Sequence, residues 1–128
     1  MSTLIKAIAC SYEGSLFGWS ITENQENASL QMDLSYGFNC SQNVMKTVVI
    51  SESGKFLACG GSDERIRLFN LFENKSIGEL GTHTGGITCL KFFSDSFLFS
   101  GSEVSLPLNK LTITHTSFQL LYKLYTYI

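Results

Sequence analysis

The feature that most constrains this 128-residue chain is that it repeats itself. Residues 7–21 read AIACSYEGSLFGWSI, and residues 57–71 read LACGGSDERIRLFNL. At an offset of 50, Ala7 falls on Leu57, Cys10 on Gly60, Glu13 on Asp63, Trp19 on Phe69 and Ile21 on Leu71. The chemistry agrees position by position: an apolar run, small residues, an acidic turn residue, apolar alternation and an aromatic. A third copy follows at an offset of 40, where Leu98, Phe99, Ser100, Gly101, Ser102 and Glu103 fall on Ala58, Cys59, Gly60, Gly61, Ser62 and Asp63. Periods of about 40 to 50 residues belong to propeller blades or to helical arrays.

Local pattern decides between the two. Residues 46–51 form a short β-branched run, and Ser51-Glu-Ser-Gly54 after them is turn chemistry. A second apolar run at 56–59 closes on Gly60-Gly-Ser-Asp-Glu64. Residues 66–71 alternate, with Ile66 and Leu68 on one face and Arg65, Arg67 and Phe69 on the other, a period that suits a strand with unequal faces. A fourth run, 76–80, ends at Gly81. Four short strands in one period describe a propeller blade, whereas a helical repeat needs longer stretches of period 3.6. The expected fold is all-β, a partial β-propeller of about two blades with incomplete flanking strands. Strands are expected at 5–11, 15–21, 29–34, 45–50, 56–60, 65–70, 76–80, 87–92 and 97–101.

Composition excludes several classes of function. Hydrophobic residues make up 44% and charged residues 16%, enough apolar material for a core. The net charge is −2, and the nearest thing to a basic cluster is Arg65 with Arg67, so direct nucleic-acid binding is not expected. Cys10, Cys40, Cys59 and Cys89 form no C-x-x-C pair, and only Cys89, six residues after His83, stands near a histidine, which argues against zinc. With no signal-peptide pattern after Met1, the cysteines read as reduced, buried side chains, and the sequons at Asn27, Asn39 and Asn74 as unmodified. No phosphate-binding loop, dinucleotide fingerprint, zincin motif or nucleophile elbow is present. Glu13, Glu52 and Asp63 sit on turns, where a charge is usually just solvated. No catalytic, metal or cofactor-binding residue is assigned, no cofactor is expected, and the chain reads as a non-enzyme.

The blade pattern resembles the WD repeat. There an Asp in the turn between the second and third strands accepts hydrogen bonds from a His before the first strand, a Ser or Thr on the second and a Trp on the third. Here Asp63 stands at the turn with Ser62 beside it, but Phe69-Asn70 replaces Trp-Asp, and Asn39-Cys-Ser-Gln-Asn43 offers no His. In the third repeat His83 precedes Ile87 by four residues, and Glu103 is expected at the acidic turn position. A lone His without a nucleophile or ligand cluster reads as a structural residue, and Trp19 as a core or blade-edge aromatic.

AIACSYEGSLFGWSI and GGITCLKFFSDSFLFSGSE, residues 85–103, resemble more closely the p21-activated kinase-interacting protein family, whose yeast relative is a large-subunit ribosome assembly factor. The resemblance implies a scaffold of the nucleus and nucleolus. Its implied partners are pre-ribosomal large-subunit factors and p21-activated kinase, which it would regulate negatively, with no membrane involved. No partner-binding residue of that family can be placed on a position here.

After Glu103 the pattern stops: from Val104 onward there is no Gly, Asp or Glu. Residues 1–103 are therefore expected to form the blades, and 104–128 a divergent, non-repeat tail without native blade strands. The expected origin is a truncated or alternatively spliced product; a membrane- or partner-binding tail is the competing reading. An inactive or dominant-interfering isoform, or a generic WD-repeat adaptor, stands as the alternative function.

Overall fold

The computed structural model of the chain describes residues 3–81, 83–104 and 115–123. Ten strands succeed one another: β1 (Thr3–Cys10), β2 (Ser15–Asn24), β3 (Ser29–Asn39), β4 (Met45–Ile50), β5 (Phe56–Gly61), β6 (Ile66–Asn70), β7 (Lys75–Leu80), β8 (Ile87–Ser94), β9 (Phe97–Val104) and β10 (His115–Lys123). There is no helix among the described residues. Successive strands pair antiparallel within three sheets: β1-β2-β3, β4-β5-β6-β7 and β8-β9-β10. Each sheet is one blade. All nine expected strands are found in their expected order, and β3 runs on to Asn39, past the expected end at 34.

Turn chemistry sets the strand ends. Ser51 accepts a backbone bond from Gly54 at 2.9 Å, and its hydroxyl accepts the Phe56 amide at 3.0 Å, so one buried serine closes the β4–β5 turn. Asn70 stands where the repeat pattern has Asp. Its side-chain oxygen accepts the amides of Phe72 and Glu73 at 3.0 and 3.3 Å, which directs the chain out of β6 and into β7. An amide oxygen accepts both bonds as a carboxylate would, without adding a charge at a position 7% exposed.

The blades stack through apolar faces. Leu16 of the first blade packs against Met45, Leu57, Cys59 and Phe69 of the second, with Ile8, Tyr36 and Phe38 closing the edge. Phe38 stacks on Phe69 with ring centroids 4.9 Å apart. The opposite face of the second blade, Ala58, Ile66 and Leu68, packs against Ile87, Leu90 and Leu98 of the third. Of the side chains expected on opposite faces, Ile66 and Leu68 enter one core and Phe69 the other, while Arg65 is exposed, and β5 is buried along its whole length. Gly60 permits the close approach: a β-carbon there would lie 2.8 Å from Cβ of Ile87.

The segment after Glu103 departs from expectation. β10 pairs with β9, placing Ser117 opposite Ser102 and Phe118 opposite Gly101, and so takes the third-strand position of the third blade. Its sequence, HTSFQLLYK, lacks the repeat signature but mixes β-branched and aromatic residues, and an open strand edge selects for backbone groups and β-propensity. The repeat signature marks turns and cores, so its loss does not forbid a strand.

The third repeat is also shifted by one residue from its sequence alignment. In the second blade Cys59 pairs with Val48 and Gly61 with Met45. In the third, Ser100 pairs with Leu90 and Ser102 with Ile87. Ser102, not Gly101, therefore occupies the place of Gly61, and the position equivalent to Asp63 falls on Val104. The bulge between Ile87 and Cys89 repeats the one between Met45 and Thr47, so the two blades match at an offset of 42 in their first strands and 41 in their second, one more than the offset of 40 read from the sequence.

Candidate interaction surface

Asp63 sits where the sequence placed it, in the turn between β5 and β6, and it is well partnered. Ser41 donates to its Oδ2 at 3.2 Å, Arg67 binds the same oxygen, and the Arg65 amide reaches Oδ1 at 3.4 Å. Burial pushes the Asp63 carboxyl up, but the bond and charge of Arg67 outweigh it and hold the group below the usual carboxylate range. Arg67 lies between Asp63 and Glu79, with Nε 3.3 Å from Glu79 Oε1. Ser41 precedes Met45 by the same four residues that separate His83 from Ile87. A serine thus fills the histidine's place in the second blade. The signal was in the sequence, as the one hydroxyl in the stretch from Asn39 to Asn43, and the search for a His passed over it.

His83 has the complementary arrangement. It is 8% exposed, with Nε2 2.7 Å from Ser100 Oγ and Nδ1 2.9 Å from Ser102 Oγ. Burial pushes its pKa down, favouring the neutral ring, which donates from one nitrogen and accepts at the other. Glu103 is not its acidic partner. It lies within β9, not in a turn, and pairs with Lys46 of the second blade at 3.3 Å. The one-residue slip puts Ser102 beside the imidazole and sends Glu103 across to the neighbouring blade.

His83 and the Asp63 turn meet at a small cleft of about 230 Å³, lined also by Glu64, Arg65 and Gly81. Hydroxyl–imidazole pairs can activate a nucleophile, but Ser100 and Ser102 are buried at 4% and 0% exposure, so no substrate reaches either oxygen. The arrangement ties strand to loop.

Cys59 is buried, Cys10 and Cys40 pack against the same core, and Cys89 is exposed; all four are free thiols. A hydrogen bond between Cys59 and Cys40, followed by burial, pushes Cys59 up, while that bond holds Cys40 below the ordinary thiol range with help from Arg67. Among the described residues no group of three His, Cys, Asp or Glu side chains is placed to hold a metal ion. Trp19 is half-buried on β2, its ring 6.1 Å from that of Phe17.

Several large apolar side chains are available to a partner. Tyr12 projects from the β1–β2 turn and Phe72 from the β6–β7 turn, both exposed. On β3, Leu30, Met32 and Leu34 stand at every second residue and are all exposed. On the third blade Phe93 and Phe99 are exposed and meet edge to face at 6.3 Å. Phe92 and Phe97 are half-buried, and Phe92 packs toward the second blade.

The family described as WD domain, G-beta repeat matches residues 34–70 and 74–103, just over half of the chain. The chain belongs to the WD-repeat family. Its relatives include the p21-activated protein kinase-interacting protein 1-like proteins of Xenopus laevis, 31% identical over 106 residues, and Danio rerio, 30% identical over 106 residues. Each alignment covers 83% of this chain and 28% of the relative. The human p21-activated protein kinase-interacting protein 1 is 29% identical over 93 residues, 71% of this chain and 24% of that protein. The chain thus spans about a quarter of the length of these relatives. The WD-repeat match ends at 103, and β10 lies beyond it.

Proposed function

We propose that this chain is a protein-binding scaffold of the WD-repeat type, acting in nucleolar assembly of the large ribosomal subunit and in negative regulation of p21-activated kinase. The observation that carries the reading is similarity across 83% of the chain to proteins named for interaction with that kinase. The ribosomal and nucleolar part rests on the resemblance of residues 7–21 and 85–103 to a family with a large-subunit assembly member.

The geometry supports binding over catalysis. The polar side chains that could do chemistry, Asp63, Arg67, His83 and the two serines, are spent on one another. Exposed large apolar groups include Tyr12 and Phe72 on turns, and aromatic residues are enriched at protein interfaces. Affinity purification from nucleolar extract tests the reading. Recovery of large-subunit precursors or p21-activated kinase is expected, with both reduced by Tyr12→Ala and Phe72→Ala together. Recovery of chaperones alone overturns it and leaves the inactive, interfering isoform.

A further inference from the structure

Three of the four cysteines meet in one core although they come from three separate elements. Cys10 ends β1, Cys40 follows β3 in the link to the second blade, and Cys59 lies within β5. All three pack in the cluster around Leu16, Met45 and Leu57, and Cys89 lies outside it. Backbone pairing brings them together. The Cys40 amide donates to the Gly14 carbonyl at 2.9 Å, which holds the link beside the turn that follows Cys10. The next residue, Ser41, reaches Asp63 in the turn that follows β5.

Arg67 completes the cluster. It stands directly opposite Cys59 across the β5–β6 ladder, so the two side chains share a face. Its Nη2 binds Asp63 and its Nε pairs with Glu79, but its Nη1 is buried with no hydrogen-bond partner among the described residues. A thiolate is the species such a group favours. Cys59 donates its S–H to the Cys40 sulfur, and that bond, followed by the charge of Arg67, holds the Cys40 thiol low against the effect of burial. Ionisation of Cys40 gives up only a 3.9 Å contact of its own S–H with the Phe38 carbonyl. Cys10, by contrast, is pushed up by burial and stays a thiol. Exposure divides the pair further: Cys40 is half-buried and open to a small oxidant, whereas Cys59 is fully buried behind it.

We propose that Cys40 is a peroxide-reactive thiol and Cys59 its resolving partner, so that oxidation closes a disulfide between the link after β3 and strand β5 of the second blade. The Cys40 thiolate, its proton released to solvent, attacks one oxygen of hydrogen peroxide. The O–O bond breaks, the leaving hydroxide takes up a proton to become water, and Cys40 is left as a sulfenic acid. The Cys59 sulfur then attacks the Cys40 sulfur. The S–O bond breaks as the S–S bond forms, and the departing hydroxide takes the Cys59 proton as a second water. Two thiols are oxidised and one peroxide is reduced, with no other co-reactant.

The test is peptide mapping of the 128-residue chain after one equivalent of hydrogen peroxide, with remaining thiols alkylated before cleavage by trypsin and Glu-C, which separates Cys10 from Cys40. Two of the four free thiols are expected to be lost, in a single cross-linked peptide pair that holds Cys40 and Cys59 and is parted by dithiothreitol. Cys10 and Cys89 are expected to carry the alkyl label. The same treatment in urea is expected to scramble the pairing, since the selectivity comes from the fold. In Cys59→Ala, Cys40 is expected to stop at the sulfenic acid and to be captured by dimedone. Should that variant lose its fold, the mapping of the parent decides alone. A chain that keeps four thiols overturns the proposal, as does a disulfide through Cys10 or Cys89, or a Cys40–Cys59 link formed equally well in urea. Capture of dimedone at another cysteine in place of Cys40 overturns it too.

Discussion

The second and third blades hold their turns with opposite halves of one hydrogen-bond network. The second has the turn Asp but no His, and meets Asp63 with Ser41 and Arg67. The third has the His but no turn Asp, and meets His83 with Ser100 and Ser102. Neither leaves its central polar group unpartnered. What is selected is satisfaction of a buried donor or acceptor, and the chemical identity of the partner is free to change. The blades differ also in cover: the second is buried on both faces, the third on one.

That difference in cover gives the largest expected contrast. Leu68→Ala, at 1% exposure in the second blade, is expected to cost about 2–5 kcal/mol in urea unfolding. Phe99→Ala, on the open face of the third, is expected to change the stability of the monomer by no more than about 0.5 kcal/mol. Equal losses would show that the third blade is covered after all.

Next comes the ion pair. Asp63→Ala leaves Arg67 largely buried with only Glu79 opposite, at an expected cost of about 3 kcal/mol. Adding Arg67→Met is expected to recover most of it, since a paired charge and a packed apolar chain of similar size are nearly equivalent there. Failure of the double variant to recover would mean that the carboxylate holds the turn by itself.

The His83 tie is smaller: His83→Ala is expected to cost about 1–2 kcal/mol for two hydrogen bonds. It also carries a pH signature. The folded pKa lies below the ordinary 6.5, so the unfolded chain binds the proton first. This contribution is fully present above pH 6.5 and is lost as pH falls from there through the lowered folded value. Asp63, whose folded pKa is also depressed, loses its contribution only as pH falls below the ordinary 3.8 through the folded value. Hydrogen exchange on mild acidification is therefore expected to loosen β9 before β5. Simultaneous loosening would sink the idea that the two networks are independent.

The smallest effects are Ser41→Ala, at about 1 kcal/mol, and Glu103→Gln, at under about 1 kcal/mol. The Glu103 effect should vanish in 1 M salt, about where screening shortens to 3 Å, because the Lys46 pair is half-exposed. A Glu103 effect that survives salt would place that residue back in a buried network.

Most of the frame was legible in the residues. The repeat at 7–21, 57–71 and 98–103 located the blades, and Ser51-Glu-Ser-Gly54 and Asn70 located the turns, because period-two burial and turn residues are local properties. The candidate site was legible only in part. Asp63 and His83 were found, since acidic turn residues and buried histidines announce themselves by type. Ser41 was missed because its role depends on a carboxylate 22 residues away. Glu103 was misplaced because β9 matches β5 at an offset of 41, and the run of small residues Ser100-Gly-Ser102 fits an offset of 40 as well in sequence alone.

The sequence by itself determined that the chain is a run of short antiparallel strands, how many blades it begins and where most strands lie. Those follow from side-chain periodicity and turn chemistry within a few residues of each position. Tertiary structure alone decided the register of the third blade, the serine partners of His83 and the pairing of Glu103 with Lys46, 57 residues apart. It also decided that HTSFQLLYK, which carries no repeat signature, forms a strand on β9. The physical reason is common to all four: a strand edge and a buried polar group must each find a partner, and which partner comes within reach depends on how the sheets pack.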